Sequence, residues 1–281
     1  MDYGQRTISR VGAPGTHTPA NGGPMTDRSA ARAPRKILFA SQKGGVGKTA
    51  SAINVATCLG LGGYRVLLVD TDPIGSVGAC FGTTVAPGHP GIYGLEQWDL
   101  ADLTIPEVAL NLDLLPYAED RRAIDLNSVY RGLDELGRRA TGSYDFVIVD
   151  SRPSVADMTR RLCQVVDEVV VVVQCQPMAY RTLGGILGQL RDARSDGAPA
   201  RLLGLLLTMV DPNDAKQAQL EAHIRRSLGQ AMMPISIPMD DAVKEGVMTD
   251  RPVVIMRPDA PSSIAYQEVA QFVVAAGQPA A

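Results

Sequence analysis

One short stretch constrains this chain more than any other: Ser41-Gln42-Lys43-Gly44-Gly45-Val46-Gly47-Lys48-Thr49. It joins an apolar run, Ile37 to Ala40, to a helical pattern that begins at Lys48 and reaches Leu61. Gly44, Gly45 and Gly47 let the backbone turn tightly and aim several N–H groups inward. The helix N-terminus adds its partial positive charge, and the result is an anion nest suited to a polyphosphate. Lys48 is placed to reach β and γ phosphates, and the Thr49 hydroxyl to ligate Mg²⁺. Among the basic residues there are only five lysines, and two of them stand in this loop. A chain that feeds a strand through such a loop into a helix belongs to the α/β class.

The rest of the chain repeats that alternation. Apolar runs suited to buried strands fall at Ile37 to Ala40, Arg65 to Val69, Leu112 to Leu115, Phe146 to Val149, Val169 to Val173, Leu202 to Thr208, Ile235 to Ile237 and Val253 to Met256. Helical stretches run from Lys48 to Leu61, Ala123 to Arg139, Met178 to Ala193, Asp214 to Leu228 and Pro261 to Val274. The pattern predicts a single P-loop domain with a mostly parallel twisted sheet and helices on both faces. Ligands of such sheets sit at the carboxyl ends of the strands.

Carboxylates stand where that rule puts chemistry. Asp70-Thr71-Asp72 follows the second strand, and Asp150 follows the apolar run Phe146 to Val149. Acids at strand ends beside a triphosphate suit Mg²⁺ or the positioning of water. Taken alone, Asp72-Pro73 also reads as an ordinary turn.

Residues 1 to 35 differ in kind: they are rich in Gly, Pro, Ala, Thr and Arg and nearly free of large apolar side chains. Such a segment cannot offset its ordering entropy and is expected to be a disordered tail, with the ordered domain spanning 36–281. Through Lys36 its charge is +4, leaving −7 of the overall −3 to the remainder. It is either a solvated tail or a weak tether to an anionic polymer. The overall balance argues against a strongly basic, permanently nucleic-acid-bound protein while allowing a local basic face. Cys58, Cys80, Cys163 and Cys175 are in no metal-ligand spacing and read as small buried hydrophobes of a reducing compartment. No apolar run approaches a membrane span, and the first residues lack the apolar stretch of a secretion signal, so a cytoplasmic location is expected.

The form Lys43-Gly44-Gly45-Val46-Gly47-Lys48-Thr49, with Gln42 where an ordinary phosphate loop has its first glycine, resembles the deviant Walker A motif of the ParA/MinD superfamily of P-loop ATPases. Asp70-Thr71-Asp72-Pro73-Ile74-Gly75 is similar to its Asp-x-Asp-Pro-Gln-Gly segment, with Ile74 in place of Gln. Asp150-Ser151-Arg152-Pro153 resembles its Asp-Thr-Pro-Pro, with Arg152 in place of a proline. Gly204 to Met209 and Ile237-Pro238 match later segments, and the resemblance covers about Lys36 to Ala275.

The resemblance implies an ATPase with ATP and Mg²⁺ as cofactors. It makes Gly44 to Ala50 the phosphate cradle, with Lys43, Lys48 and Asp72 catalytic. Lys43 would reach across a nucleotide sandwich homodimer, and Asp72 would orient the attacking water. Thr49, Asp70 and Asp150 would form the metal environment. Thr208, Met209, Pro238 and Met239 become candidates for the adenine pocket. The tail end, Val269 to Ala281, has no Lys or Arg, which argues against a membrane-binding MinD helix and for the ParA branch. That branch implies non-specific binding to double-stranded DNA, a ParB-like activating partner, nucleoid association, and the positioning of chromosome, plasmid or other cargo. Arg191, Arg194, Arg225 and Arg226 are the DNA candidates, though the same residues also read as solvated helix faces. The acidic segment Met239-Asp240-Asp241 departs from the basic residues common after the Ile-Pro turn. A non-DNA cargo, or an iron-protein-like redox ATPase, stand as alternatives.

Overall fold

The computed structural model describes residues 33–118, 126–152 and 156–277. The tail expected over 1 to 35 lies outside them except for its last residues, and Arg35 already belongs to a strand. The strands are β1 (Arg35–Ala40), β2 (Val66–Asp70), β3 (Ile105–Ala109), β4 (Leu112–Leu115), β5 (Phe146–Asp150), β6 (Glu168–Gln174), β7 (Arg201–Val210) and β8 (Met232–Pro238). The helices are α1 (Lys48–Leu61), α2 (Ser76–Ala79), α3 (Leu100–Leu103), α4 (Leu126–Arg139), α5 (Ala156–Leu162), α6 (Pro177–Ser195), α7 (Ala215–Leu228), α8 (Asp241–Met248), α9 (Val253–Met256) and α10 (Pro261–Ala275).

The strands form one sheet in the order β3-β4-β2-β5-β1-β6-β7-β8. Every pairing is parallel except β3 with β4. The chain leaves β1 toward β2 on one side, and β5 is followed by β6 on the other, so β1 lies at the switch point where such sheets open a crevice.

Two apolar layers sandwich the sheet, and successive strand residues feed them alternately. Ile37 and Phe39 point into the layer that packs α1, α9 and α10, while Leu38 and Ala40 join the layer under α4, α5, α6 and α7. β6 does the same, with Val170 and Val172 on one side and Val169, Val171 and Val173 on the other. Because both faces are covered, these strands read as unbroken apolar runs.

Val253 to Met256, expected as a strand, is the short helix α9. Pro252 starts it, and its carbonyl accepts from the Ile255 and Met256 amides. Val253 and Val254 bury against α1, and the Val254 amide donates to Asn54 Oδ1. A four-residue apolar run does not by itself distinguish strand from buried helix, and here the proline favours the helix. The expected start of α4 at Ala123 falls outside the described residues. The β3 edge was not expected: it carries Pro106 and a left-handed Glu107 at φ 51°, both foreign to a strand pattern. α8 was missed as well, being short and polar.

Candidate functional site

The parallel registers bring three strand ends together. Phe39 of β1 lies level with Asp150 of β5, and Asp70 of β2 lies level with the same Asp150. The glycine loop after β1 therefore arches over two carboxylates separated by one strand spacing. Gly45 (φ 74°) and Gly47 (φ 82°) take left-handed backbone that other residues resist, and Gly47 caps α1.

Lys48 is buried at 5% exposure, and its Nζ donates to Asp150 Oδ1 at 2.7 Å. The Thr49 hydroxyl donates to Asp150 Oδ2 at 2.8 Å. Asp150, fully buried, thus holds both polar side chains at the head of α1. Burial raises its pKa, and the Lys48 ammonium and the Thr49 hydroxyl oppose that rise. Two hard oxygens at the loop mouth suit a small divalent cation that keeps most of its waters. Among the described residues no group of three or more His, Cys, Asp or Glu forms a self-sufficient metal cage. Such a cation at a phosphate loop draws its remaining ligands from phosphate and water.

Asp70 is buried, and its carboxylate accepts from the Asp72 amide at 2.9 Å and the Val77 amide at 3.3 Å. Burial, with the Asp150 charge second, pushes its pKa up to about 7 against those hydrogen bonds. Asp72 Oδ1 accepts from the Ile74 amide at 3.0 Å, an Asx-type turn that fixes the acid at the strand end. Ile74 itself points outward, 68% exposed. Beside them opens a cavity of about 430 Å³ lined by Asp70, Ile74, Gly75, Thr83 and Tyr117. A larger hollow of about 500 Å³ lies at the far end of α1 against α10, and no carboxylate, lysine, arginine or histidine lines it.

Lys43 stands exposed on the outer rim of the loop, and its carbonyl accepts from Ser41 Oγ at 3.1 Å. Gly44 is exposed, Val46 is buried, and Ala50 is half-buried in the first turn of α1. Of the expected adenine residues, Thr208 instead lies beneath the loop: it is 2% exposed, and its hydroxyl reaches the Val46 carbonyl at 2.7 Å. Met209 is half-buried beside it, Pro238 ends the neighbouring β8, and Met239 follows it.

Arg191 and Arg194 are exposed on α6, and Arg226 is exposed on α7. Arg225 differs. Its guanidinium donates to Glu221, to the Met233 carbonyl and to Ser236, at 2.9, 2.8 and 2.6 Å. It ties α7 to the free edge of β8 and is committed to that contact. Cys163 and Cys175 are buried free thiols.

Two supporting residues carried no expectation. Thr71 donates both its amide and its hydroxyl to the Asp150 carbonyl, and Ser151 Oγ donates to the Phe39 carbonyl at 2.9 Å. Their signal was positional: each is a small hydroxyl residue directly after a strand-end acid.

A family model described as an AAA domain matches residues 34–197. Over 249 residues the chain is 33% identical to a protein named "Chromosome-partitioning ATPase Soj" of Thermus thermophilus, covering 88% of this chain and 98% of that one. It is 29% identical over 250 residues to "Chromosome partitioning protein ParA" of Caulobacter vibrioides, covering 85% and 94%. Among solved structures, an ATP complex of a variant McdA from Cyanothece matches with a TM-score of 0.75 at 17% identity, covering 88% and 99%. At that identity the likeness is one of fold.

Proposed function

The chain belongs to the ParA/MinD superfamily of ATPases, on its Soj/ParA branch, and from that footing we propose that it is a partition ATPase using ATP and Mg²⁺. The observation that carries this reading is the hydrogen-bonded set of buried Lys48 and Asp150 with half-buried Thr49 at the mouth of the glycine loop. The amides of Gly44 to Ala50 and the Lys48 ammonium hold the β and γ phosphates. Thr49 and Asp150, with Asp70 behind them, hold the metal side. ATP and Mg²⁺, when bound, supply the activated phosphoryl group. Asp72, fixed at its strand end, orients the attacking water. Lys43, exposed on the rim, reaches the phosphates of a second copy, so hydrolysis depends on a nucleotide-dependent homodimer.

In the same reading the dimer binds double-stranded DNA without sequence preference through Arg191, Arg194 and Arg226, doubled by pairing. A ParB-like partner stimulates hydrolysis and releases it. The protein then works in the cytoplasm on the nucleoid, positioning a chromosome, plasmid or other cargo. No helix among the described residues is long and apolar enough to cross a membrane.

The test has two arms. Titration with a fluorescent ATP analogue should give tight, Mg²⁺-dependent binding that Lys48→Ala abolishes while the variant still melts cooperatively. Near-wild-type affinity in Lys48→Ala would overturn the site. Gel shifts on random duplex should show binding with ATP but not with ADP or without nucleotide. The log–log salt slope should steepen by about 0.9 for each phosphate neutralised. Equal binding in all three states would overturn the ATP-switched DNA reading.

A further inference from the structure

The end of β7 carries an irregularity that the proposed function does not use. Leu207 is level with Ser236 of β8, but Val210 is level with Pro238, so three steps on β7 match two on β8. The extra residue falls at Thr208-Met209, and Met209 takes left-handed backbone at φ 55°. A side chain that large rarely adopts such backbone, and a bulge leaves its extra residue out of the ladder.

Just before it, Thr208 keeps the strand's alternation: it is level with Gln174 of β6 and falls on the face that Leu206 shares with Val46. Its single hydroxyl proton faces the Val46 carbonyl of the glycine loop at 2.7 Å, with the Val173 carbonyl of β6 farther off at 3.3 Å. Both side chains also form the floor under Gly47. A Cβ added to Gly47 would sit 3.7 Å from the Met209 methyl and 3.8 Å from Thr208 Cβ. The same strand end accepts the Cys175 amide on the Thr208 carbonyl and the Met239 amide on the Val210 carbonyl, at 3.0 and 2.8 Å. The glycine loop, the loop after β6 and the segment after β8 therefore all hang on three consecutive residues.

We propose that the β7 bulge is the brace that sets the conformation of the phosphate loop, and that Thr208 is a positioning residue acting through the Val46 carbonyl. A glycine-rich loop has little conformational preference of its own, so its amides stay aimed inward only if something outside the loop holds it. Within the loop, the Ser41 hydroxyl holds the Lys43 carbonyl, and the Ser51 amide and hydroxyl on α1 hold the Gly47 carbonyl at 2.9 and 2.8 Å, which leaves the Val46 carbonyl between them. The Thr208 hydroxyl supplies the missing tie at the residue just before the helix cap. The affinity consequence rests on the nucleotide-binding reading above, whereas the bracing itself does not.

The test separates the two. Hydrogen exchange is followed in the full chain without nucleotide, over the peptide covering 42–50, in wild type, Thr208→Val, Thr208→Ser and Met209→Val. Thr208→Val keeps the shape and removes the donor. Thr208→Ser keeps the donor, and Met209→Val puts a β-branched residue where left-handed backbone is needed. Thr208→Val and Met209→Val should exchange about ten-fold faster over this peptide, and Thr208→Ser should exchange as wild type does. A fluorescent-ATP titration should then show roughly five- to thirty-fold weaker binding for Thr208→Val, restored in Thr208→Ser. Should Thr208→Val melt below the assay temperature, Thr208→Ala, which also lacks the donor, takes its place with the same expectation. Unchanged exchange in the donor-free variant overturns the brace. Wild-type protein that binds no nucleotide overturns the functional reading, while the exchange comparison still decides the brace.

Discussion

Asp70 makes the nucleotide-free protein less stable as pH rises. Its carboxyl has a pKa of about 7 in the fold against 3.8 for the free group, with burial the first cause and the Asp150 charge the second. Below about pH 4 both folded and unfolded forms hold the proton and the group contributes nothing. From there to about 7 the unfolded chain releases the proton while the folded chain keeps it, so stability falls as pH rises. Above 7 both are ionised and the penalty is constant. At about 1.36 kcal/mol per unit, the full loss is on the order of 4 kcal/mol. Asp70 is 1% exposed, so solvent screening removes little of it. Asp70→Asn abolishes the titration. It also weakens the contact to the Val77 amide, at a pH-independent cost of about 1 kcal/mol. Urea unfolding of both proteins at intervals from pH 4.5 to 8, without nucleotide or Mg²⁺, reads the difference directly. The stability of Asp70→Asn relative to wild type should grow by about 1.4 kcal/mol per pH unit up to about 7 and then level off. A difference that stays constant across the range would refute the argument, because no proton would then be linked to folding at this site.

Three further outcomes follow from the same geometry. Asp72→Ala should keep ATP and accumulate as a dimer in light scattering, because the water loses its orienting acid; a nucleotide-bound monomer would contradict the mechanism. Gly60→Ala adds a Cβ 2.3 Å from the Leu110 carbonyl, so it should lower the melting temperature, at a cost of about 1–3 kcal/mol, despite the helix propensity alanine brings. A higher melting temperature would show that the β3–β4 turn yields freely. Arg225→Ala should destabilise the fold by about 1–3 kcal/mol and leave the salt slope of DNA binding unchanged, whereas Arg194→Ala should flatten that slope by about 0.9 per lost contact. A flatter slope in Arg225→Ala would return that residue to the DNA surface.

Much of the architecture was legible because the physics behind it is local. The strand–glycine loop–helix unit declares itself in nine consecutive residues, and the helix it predicts, Lys48 to Leu61, has those bounds in the structure. Strands covered on both faces announce themselves as apolar runs, and β2, β5 and β6 were found that way. Parallel pairing then carries Asp70 and Asp150 together without any special sequence signal, since each simply ends its strand. What stayed hidden depends on partners remote in the chain. Val253 to Met256 looks like β1 in composition, and it is helical because Pro252 starts it and Asn54, two hundred positions away, receives its amide. The acidic segment after Pro238 reads as a surface charge change, yet Asp240 accepts from the Ala242 amide with one oxygen and from the Ser262 amide and hydroxyl with the other. It caps α8 and pins the start of α10, so its charge serves the fold.

Thr208 shows why the site could not be completed from the chain alone. The match of Gly204 to Met209 to a family segment made Thr208 and Met209 candidates for the adenine pocket, but a segment match carries no direction. Direction comes from the pleat of β7, which puts Thr208 on the Leu206 face, but the Val46 carbonyl it meets there lies 162 positions earlier in the chain and no local pattern names it. A β-bulge changes no residue type and breaks no periodicity in a run of Leu and Thr, so composition cannot reveal it. Its trace is the backbone of Met209, a methionine in a region that glycine or asparagine would normally fill. A conformation with that cost persists where surrounding contacts over-determine it, and here those contacts are the three loops that close the crevice.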